Sequence, residues 1–192
     1  QQIASLKTIG NQELTWEHSD MLNLGLDVKV LNSRLNFTGE YYIKNTKDIL
    51  LEMPVPLEYG FGKPNMNVGE VRNKGWELSL SWNDRINDFG YSISGNLSDN
   101  RNEVVDLGDT GPWKGSNTYT EVGLPFNSIY GYESMGLFQS DEEVANAPFQ
   151  NSNTAAGDIR YKNQNGDDKI DANDRVVIGD PNPHFLYGVN LG

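Results

Sequence analysis

The sequence predicts an all-β chain on two observations: five runs in which apolar and polar residues alternate, and a composition rich in strand and turn formers. Only 36% of the 192 residues are hydrophobic, yet the chain holds 20 Gly, 9 Tyr, 7 Phe and 4 Trp. Aromatic residues favour the pleated surface of a sheet, and glycine favours its turns.

The first run starts at Met21: Leu22, Leu24, Leu26, Val28 and Val30 share one face, and Asn23, Gly25, Asp27 and Lys29 the other. Thr15 to Val30 reads as one nearly unbroken strand, longer than the usual strand of a globular sheet and long enough to cross a tilted bilayer. After the turn at Leu31-Asn32-Ser33-Arg34, alternation resumes with Leu35, Phe37, Gly39, Tyr41 and Ile43, which completes an antiparallel hairpin.

A second hairpin sets Trp76, Leu78, Leu80 and Trp82 against Phe89, Tyr91, Ile93 and Leu97, with Asn83 to Asp88 as the connection. The last run carries Phe185, Tyr187, Val189 and Leu191 on one face. Three long irregular stretches lie between these runs: Met53 to Asn67, Asp106 to Thr120 and Gln139 to Gly157. In the last of them, Ser140 ahead of Asp141-Glu142-Glu143 predicts a capped helical turn.

Two architectures bury one strand face and wet the other, the soluble sandwich and the transmembrane barrel. Aromatics near strand ends, as at Trp82 and Phe89, and short turns opposite long loops favour the barrel. A secreted β-sandwich that binds glycan or protein is the competing expectation.

Several classes are excluded or disfavoured. Fifteen Lys and Arg against 27 Asp and Glu give a net charge of -12, which opposes binding to nucleic acid. No cysteine is present, so thiolate metal sites, disulfides and cysteine nucleophiles are ruled out. The stretch Gln1-Gln2-Ile3-Ala4-Ser5-Leu6 has no basic and apolar leader pattern, and no run approaches the length of a spanning helix. His18 and His184 are the two histidines, and neither stands near a nucleophile or a second ligand in sequence. No catalytic residue is assigned.

The strongest chemical signal lies in residues 163–174, where Asn163, Asn165, Asp167, the Lys169 carbonyl, Asp171 and Asp174 stand at the ligand positions of an EF-hand-like calcium loop. Asn at the first position, Asp168 where glycine makes the sharp turn, and the short Asp174 at the twelfth predict weak Ca2+ binding. A plain polar turn built from the same turn-forming residues is the alternative. Trp113, Tyr119, Tyr130 and Tyr132 are the aromatic candidates for stacking on cargo or a partner, and ordinary packing is the commoner role for such side chains.

Several spaced motifs together resemble the SusC/RagA family of TonB-dependent outer-membrane transporters, specifically the C-terminal part of the barrel. They are Leu14-Thr15-Trp16-Glu17 with Asn23-Leu24-Gly25-Leu26-Asp27; Tyr41-Tyr42-Ile43-Lys44-Asn45-Thr46-Lys47-Asp48-Ile49-Leu50; and Asn67-Val68-Gly69-Glu70-Val71-Arg72-Asn73-Lys74-Gly75-Trp76-Glu77-Leu78. Gly123-Leu124-Pro125, Tyr130-Gly131-Tyr132, Gly136-Leu137-Phe138 and Gly157-Asp158-Ile159-Arg160-Tyr161-Lys162 follow, and the series closes on Ile178-Gly179-Asp180-Pro181-Asn182-Pro183.

The resemblance implies antiparallel strands of a barrel of about 22 strands with long extracellular loops, in the bacterial outer membrane. All of residues 1–192 would belong to that barrel, with the plug domain lying elsewhere. It also implies energised import through a TonB complex, a SusD-like surface lipoprotein as partner, outer-membrane lipid around the barrel, and oligosaccharide or peptide as cargo. Catalysis is not implied.

Overall fold

The computed structural model describes residues 14–52, 65–108 and 110–192. The start of the chain and most of the predicted irregular stretch from Met53 lie outside the described residues. The chain divides into two compact units: one of Gln1–Trp113, Thr120–Phe126 and Asn182–Gly192, and one of Lys114–Tyr119 and Asn127–Pro181.

The first unit is an antiparallel meander. Its long strands are β1 (His18–Val30), β2 (Leu35–Lys47), β5 (Glu70–Ile86), β6 (Phe89–Asp106) and β13 (Phe185–Leu191), hydrogen-bonded in the order β1-β2-β5-β6-β13. The short strands β3 (Leu50–Glu52) and β4 (Asn65–Asn67) pair with each other between β2 and β5. The sheet is open, with β1 and β13 as its edges.

Register carries the alternation across all five strands. Leu26, Gly39, Leu78, Leu97 and Tyr187 form one row; Val28, Phe37, Leu80, Gly95 and Val189 the next; Val30, Leu35, Trp82, Ile93 and Leu191 a third. Register partners in an antiparallel sheet share a face, so three successive rows on this face hold no charged residue. The opposite face carries Gly25, Glu40, Glu77, Ser98 and Leu186; then Asp27, Thr38, Ser79, Asn96 and Gly188; then Lys29, Asn36, Ser81, Ser94 and Asn190.

Both tight turns lie at one end of the sheet. Leu31, Asn32 and Ser33 take φ of 53°, 55° and 64°, the left-handed values that let two strands reverse at once. The second turn is only Asn87-Asp88, with Asn87 at φ 53°. The predicted connection from Asn83 is therefore too long: the ladder continues through Asp84↔Tyr91, Arg85↔Gly90 and Ile86↔Phe89. Polar side chains at 83–85 suggested a loop, but paired backbone groups decide a strand.

The first strand also begins later than its sequence suggests, at His18 rather than Thr15. The physical reason is the Asn67 side chain: its Oδ1 accepts from Thr15 N at 2.8 Å and its Nδ2 donates to Thr15 O at 2.7 Å. Those backbone groups are satisfied by an amide side chain instead of a ladder.

A small core closes the loop end of the meander, where Val71, Val104 and Leu107 are buried against Ile49, Trp113 and Phe126. Residues 120–126 cover the end of β6, with Val104 N donating to Leu124 O and Gly123 N to Val104 O, both at 2.9 Å. Gly75 permits a close approach on the polar face: a Cβ there would collide with the Asp99 carbonyl oxygen and stand 2.8 Å from Tyr42 Oη. The Tyr42 ring thus lies over bare backbone, and its hydroxyl donates to Asn100 Oδ1 at 3.1 Å.

The second unit is built from short strands inserted between β6 and β13. They are β8 (Thr118–Thr120), β9 (Ser128–Tyr132), β10 (Ser134–Leu137), β11 (Ile159–Tyr161) and β12 (Arg175–Gly179), preceded by β7 (Trp113–Lys114). β9 pairs with β12 and β8, and β10 with β11. The capped turn forms as expected: α1 (Asp141–Ala145) has Ser140 at its N-cap, whose side chain accepts from Glu143 N.

Candidate functional site

Two places concentrate chemistry: the acidic loop of the second unit with its aromatic neighbours, and the two faces of the five-stranded sheet.

The acidic loop is a chain of side-chain-to-backbone turns. Asn163 Oδ1 accepts from Gly166 N at 2.6 Å, Asn165 Oδ1 from Asp167 N at 3.0 Å, and Asp167 Oδ1 from Lys169 N at 3.0 Å. Asn163 Nδ2 donates to the Asp167 carbonyl. Such turns form because short Asn and Asp side chains reach backbone donors two or three residues ahead. Gly166 takes φ 77° at the apex, where a side chain would be strained.

Asp174 is the anchor. It is fully buried, and its two oxygens accept from Gln164 N and Asp171 N, each at 2.8 Å. It closes a capping box on a single 3-10 turn, Ala172–Asp174, in which Asp171 Oδ1 accepts from Asn173 N at 2.8 Å. The Lys169 ammonium sits 2.7 Å from Asp171 Oδ2. Hydrogen bonding to Lys169 holds the Asp171 carboxyl below its usual range, and the same bond raises Lys169. Further along the unit, Lys162 at 3.0 Å and the Gln164 amide at 2.9 Å lower Glu133.

All six expected ligands therefore fall in one loop. Their oxygen donors, three of them carboxylates, suit a hard cation. Among the described residues no three acidic or imidazole side chains converge on one point, and the charge nearest the carboxylates is Lys169. Sequence reasoning expected only the carbonyl of this lysine to matter and missed its ammonium.

The aromatic candidates separate into two roles. Trp113, in the first unit, packs on the buried Val71, Val104 and Leu107 cluster, and its indole N–H donates to Thr110 O at 3.0 Å. In the second unit Tyr119 and Tyr130 stack at 5.3 Å, and Tyr132 lies 5.1 Å from Tyr161. The Arg175 guanidinium stands 4.6 Å from the Tyr130 ring and 6.0 Å from that of Tyr132, and donates to Tyr130 O at 3.0 Å. Arg175 ties the tyrosines into one ladder by cation–π contact, a partner invisible in sequence because it lies over forty residues away.

On the sheet, the apolar face is open. Leu24 is 61% exposed, Val189 70% and Leu191 77%, whereas such rows in a soluble sandwich lie under a second sheet. An aromatic level marks each end of the band. Trp76 and Phe185 approach to 6.5 Å at the loop end; at the turn end Trp82 Nε1 donates to Tyr91 Oη at 3.3 Å, and Phe89 stacks on Tyr91 at 6.4 Å. The one charged β5 side chain between Trp76 and Ile86 on this face, Asp84, is paired with Arg34 at 3.4 Å near the turn end. From Trp76 to Ile86 is ten residues. At about 3.4 Å per residue and a tilt of about 40° that is roughly 26 Å of height, the thickness of a barrel's lipid-facing band.

No helix among the described residues is long and apolar enough to cross a membrane. The polar face sets Glu40 directly opposite Glu77, beside Thr38, Ser79, Asn96 and Ser98. Sequence alternation assigned these residues a face but could not pair them.

Comparison with known proteins gives one consistent result. The family described as TonB dependent receptor-like, beta-barrel, matches residues 2–184. TonB-dependent receptor P39 of Formosa agariphila is 33% identical over 215 residues, covering 94% of this chain and 21% of that protein. TonB-dependent receptor SusC of Bacteroides thetaiotaomicron is 28% identical over 195 residues, covering 93% of the chain and 18% of that protein. The solved structure of the RagAB peptide transporter superposes with a TM-score of 0.76 at 26% identity, over 97% of this chain and 20% of that one. The chain spans about a fifth of the length of the relatives it matches.

Proposed function

The chain belongs to the β-barrel family of TonB-dependent receptors, on its SusC/RagA branch, and from that membership we propose that it forms part of the wall of a nutrient importer in the bacterial outer membrane. The observation that carries the reading is the exposed apolar face, three uncharged rows deep and bounded by aromatics. A bilayer supplies the apolar phase that a second sheet would supply in a sandwich, and a closed barrel pairs the edges of β1 and β13. The competing sandwich binding module loses its support on both counts.

On this reading the Glu40 and Glu77 face lines a polar lumen. The two tight turns face the periplasm and the opposite end of the sheet faces outward, since barrels of this kind keep short turns inside and long loops outside. Import is driven through a TonB complex, and a SusD-like surface lipoprotein delivers the cargo. That cargo is an oligosaccharide or a peptide; the RagAB neighbours are peptide transporters by their own description. The role is transport rather than catalysis, a reading supported by the likeness to the RagAB peptide transporter.

The test is fractionation of cells producing the full-length protein, followed by uptake of labelled oligosaccharide and peptide mixtures with and without its gene. An outer-membrane band whose gel mobility shifts on boiling, and uptake that disappears with the gene, are expected. A water-soluble band with no heat-dependent shift would overturn the reading.

We also propose that the acidic loop takes Ca2+ through Asn163, Asn165, Asp167, the Lys169 carbonyl, Asp171 and Asp174, on the strength of donor chemistry and spacing. The bound ion would fix the loop in place of the Lys169 ammonium. Calorimetric titration of the full-length protein with CaCl2 should show binding at about 0.1–1 mM, lost in Asp171→Asn. No heat at several millimolar would refute it.

A further inference from the structure

We propose that the outward face at the loop-side rim of the apolar band binds the headgroup of an anionic, hydroxyl-bearing membrane lipid, seated on Lys74, Arg101 and Asp99. The inference rests on the barrel reading above and adds a site to it.

Lys74 on β5 and Arg101 on β6 are register partners, and both lie two residues from the Trp76 and Asp99 pair on the same face. Like charges directly opposite one another repel and destabilise a sheet unless an anion lies between them. Arg101 Nε contacts Asp99 Oδ2 at 3.1 Å. Lys74 makes no ion pair with any described residue. Both cations are exposed, so the pair presents an open two-point seat for a phosphate.

Asp99 adds a second, independent requirement. It is 7% exposed, in register with both Trp76 and Phe185, and its Oδ1 has no hydrogen-bond partner among the described residues. A buried carboxylate oxygen without a donor is costly. Phosphate cannot satisfy it, but a sugar or glycerol hydroxyl on the same headgroup can.

Position selects a lipid as the source of that phosphate. Moving from the tight turns toward the loops, the three rows from Trp82 to Leu78 carry no charge. Asp99, Lys74 and Arg101 are the first charged side chains beyond them on this face, at and just past the Trp76 aromatic level, which is where headgroups begin. A headgroup bound there keeps its acyl chains on Leu78, Leu97 and Tyr187.

The experiment is native mass spectrometry of the full-length protein in mild detergent, titrated separately with diphosphorylated lipid A, phosphatidylglycerol, phosphatidylcholine and inorganic phosphate. Retention of the first two over phosphatidylcholine is expected, with at least about tenfold weaker binding in Lys74→Gln/Arg101→Gln. The charge-preserving Lys74→Arg/Arg101→Lys should keep the lipid. Boiling-dependent gel mobility is read on every variant. A protein that never shows the shift disproves the barrel and the lipid site with it. A barrel that shows the shift but holds lipid equally in wild type and the Gln variant overturns this inference alone. Equal binding of inorganic phosphate and lipid reassigns the seat to a free anion and overturns it too.

Discussion

Replacing Leu80 by arginine tests the two-faced sheet most directly. Leu80 lies four residues from Trp76 and six from Ile86 along β5. At about 3.4 Å per residue and a tilt of about 40° this puts it roughly 10 Å below one aromatic level and 16 Å above the other. That is within about 3 Å of the middle of the band, where a lipid-facing arginine costs about 2–4 kcal/mol. Its neighbour Ser79 occupies the polar row with Asp27, Thr38 and Asn96. Arginine there stays in water beside a carboxylate and should cost under about 1 kcal/mol. The assay is urea unfolding of the full-length protein in lipid vesicles, followed by tryptophan fluorescence. A loss of about 2–4 kcal/mol for Leu80→Arg with near-neutral Ser79→Arg is expected. Equal effects, or the reverse order, would refute the assignment of faces.

Other consequences are as concrete. Gly75→Ala drives a methyl into the Asp99 carbonyl and the Tyr42 ring, whereas nothing lies within 4 Å of a Cβ on Gly90; the first should lose about 1–3 kcal/mol and the second almost nothing in the same unfolding assay. Leu31 holds φ 53° in a turn, so Leu31→Asn should gain about 0.5–1 kcal/mol, read as a higher urea midpoint. Asp171 and Glu133 are lowered by their lysine partners. Their stabilisation is complete above the ordinary carboxylate value and fades as pH falls through the lowered ones. Lys169 is raised, so its share is complete below the ordinary lysine value and fades only as pH climbs past the raised one. Carboxyl 13C shifts should place each acid midpoint below its free-residue value; midpoints above the free-residue values would contradict the ion pairs.

The alternation in β1, β2, β5, β6 and β13 was legible because a strand's side-chain period is a local property of the backbone. Residues 140–146 were legible for a similar reason, since a cap needs only a hydroxyl three residues ahead of its donor. What escaped was non-local. The start of β1 depends on Asn67, fifty-two residues from Thr15, and the length of the second hairpin depends on backbone pairs that polar side chains disguised. Trp113 carries a chemistry suited to stacking on a ligand, yet the fold spends it on a core. Arg175, which organises three of the tyrosines' contacts, carried no sequence signal.

By itself, then, the sequence determined the strand class, the two faces, the tight turns and the donor spacing of the acidic loop, because each follows from side chains a few positions apart. Only the tertiary structure decided which residues meet across strands: Glu40 with Glu77, Lys74 with Arg101, Asp99 with Trp76 and Phe185. It also decided that the apolar rows lie uncovered. The reason is physical: register is fixed by the hydrogen-bond ladder between distant segments, and a one-residue change in that ladder would turn a strand's apolar side chains to the polar face.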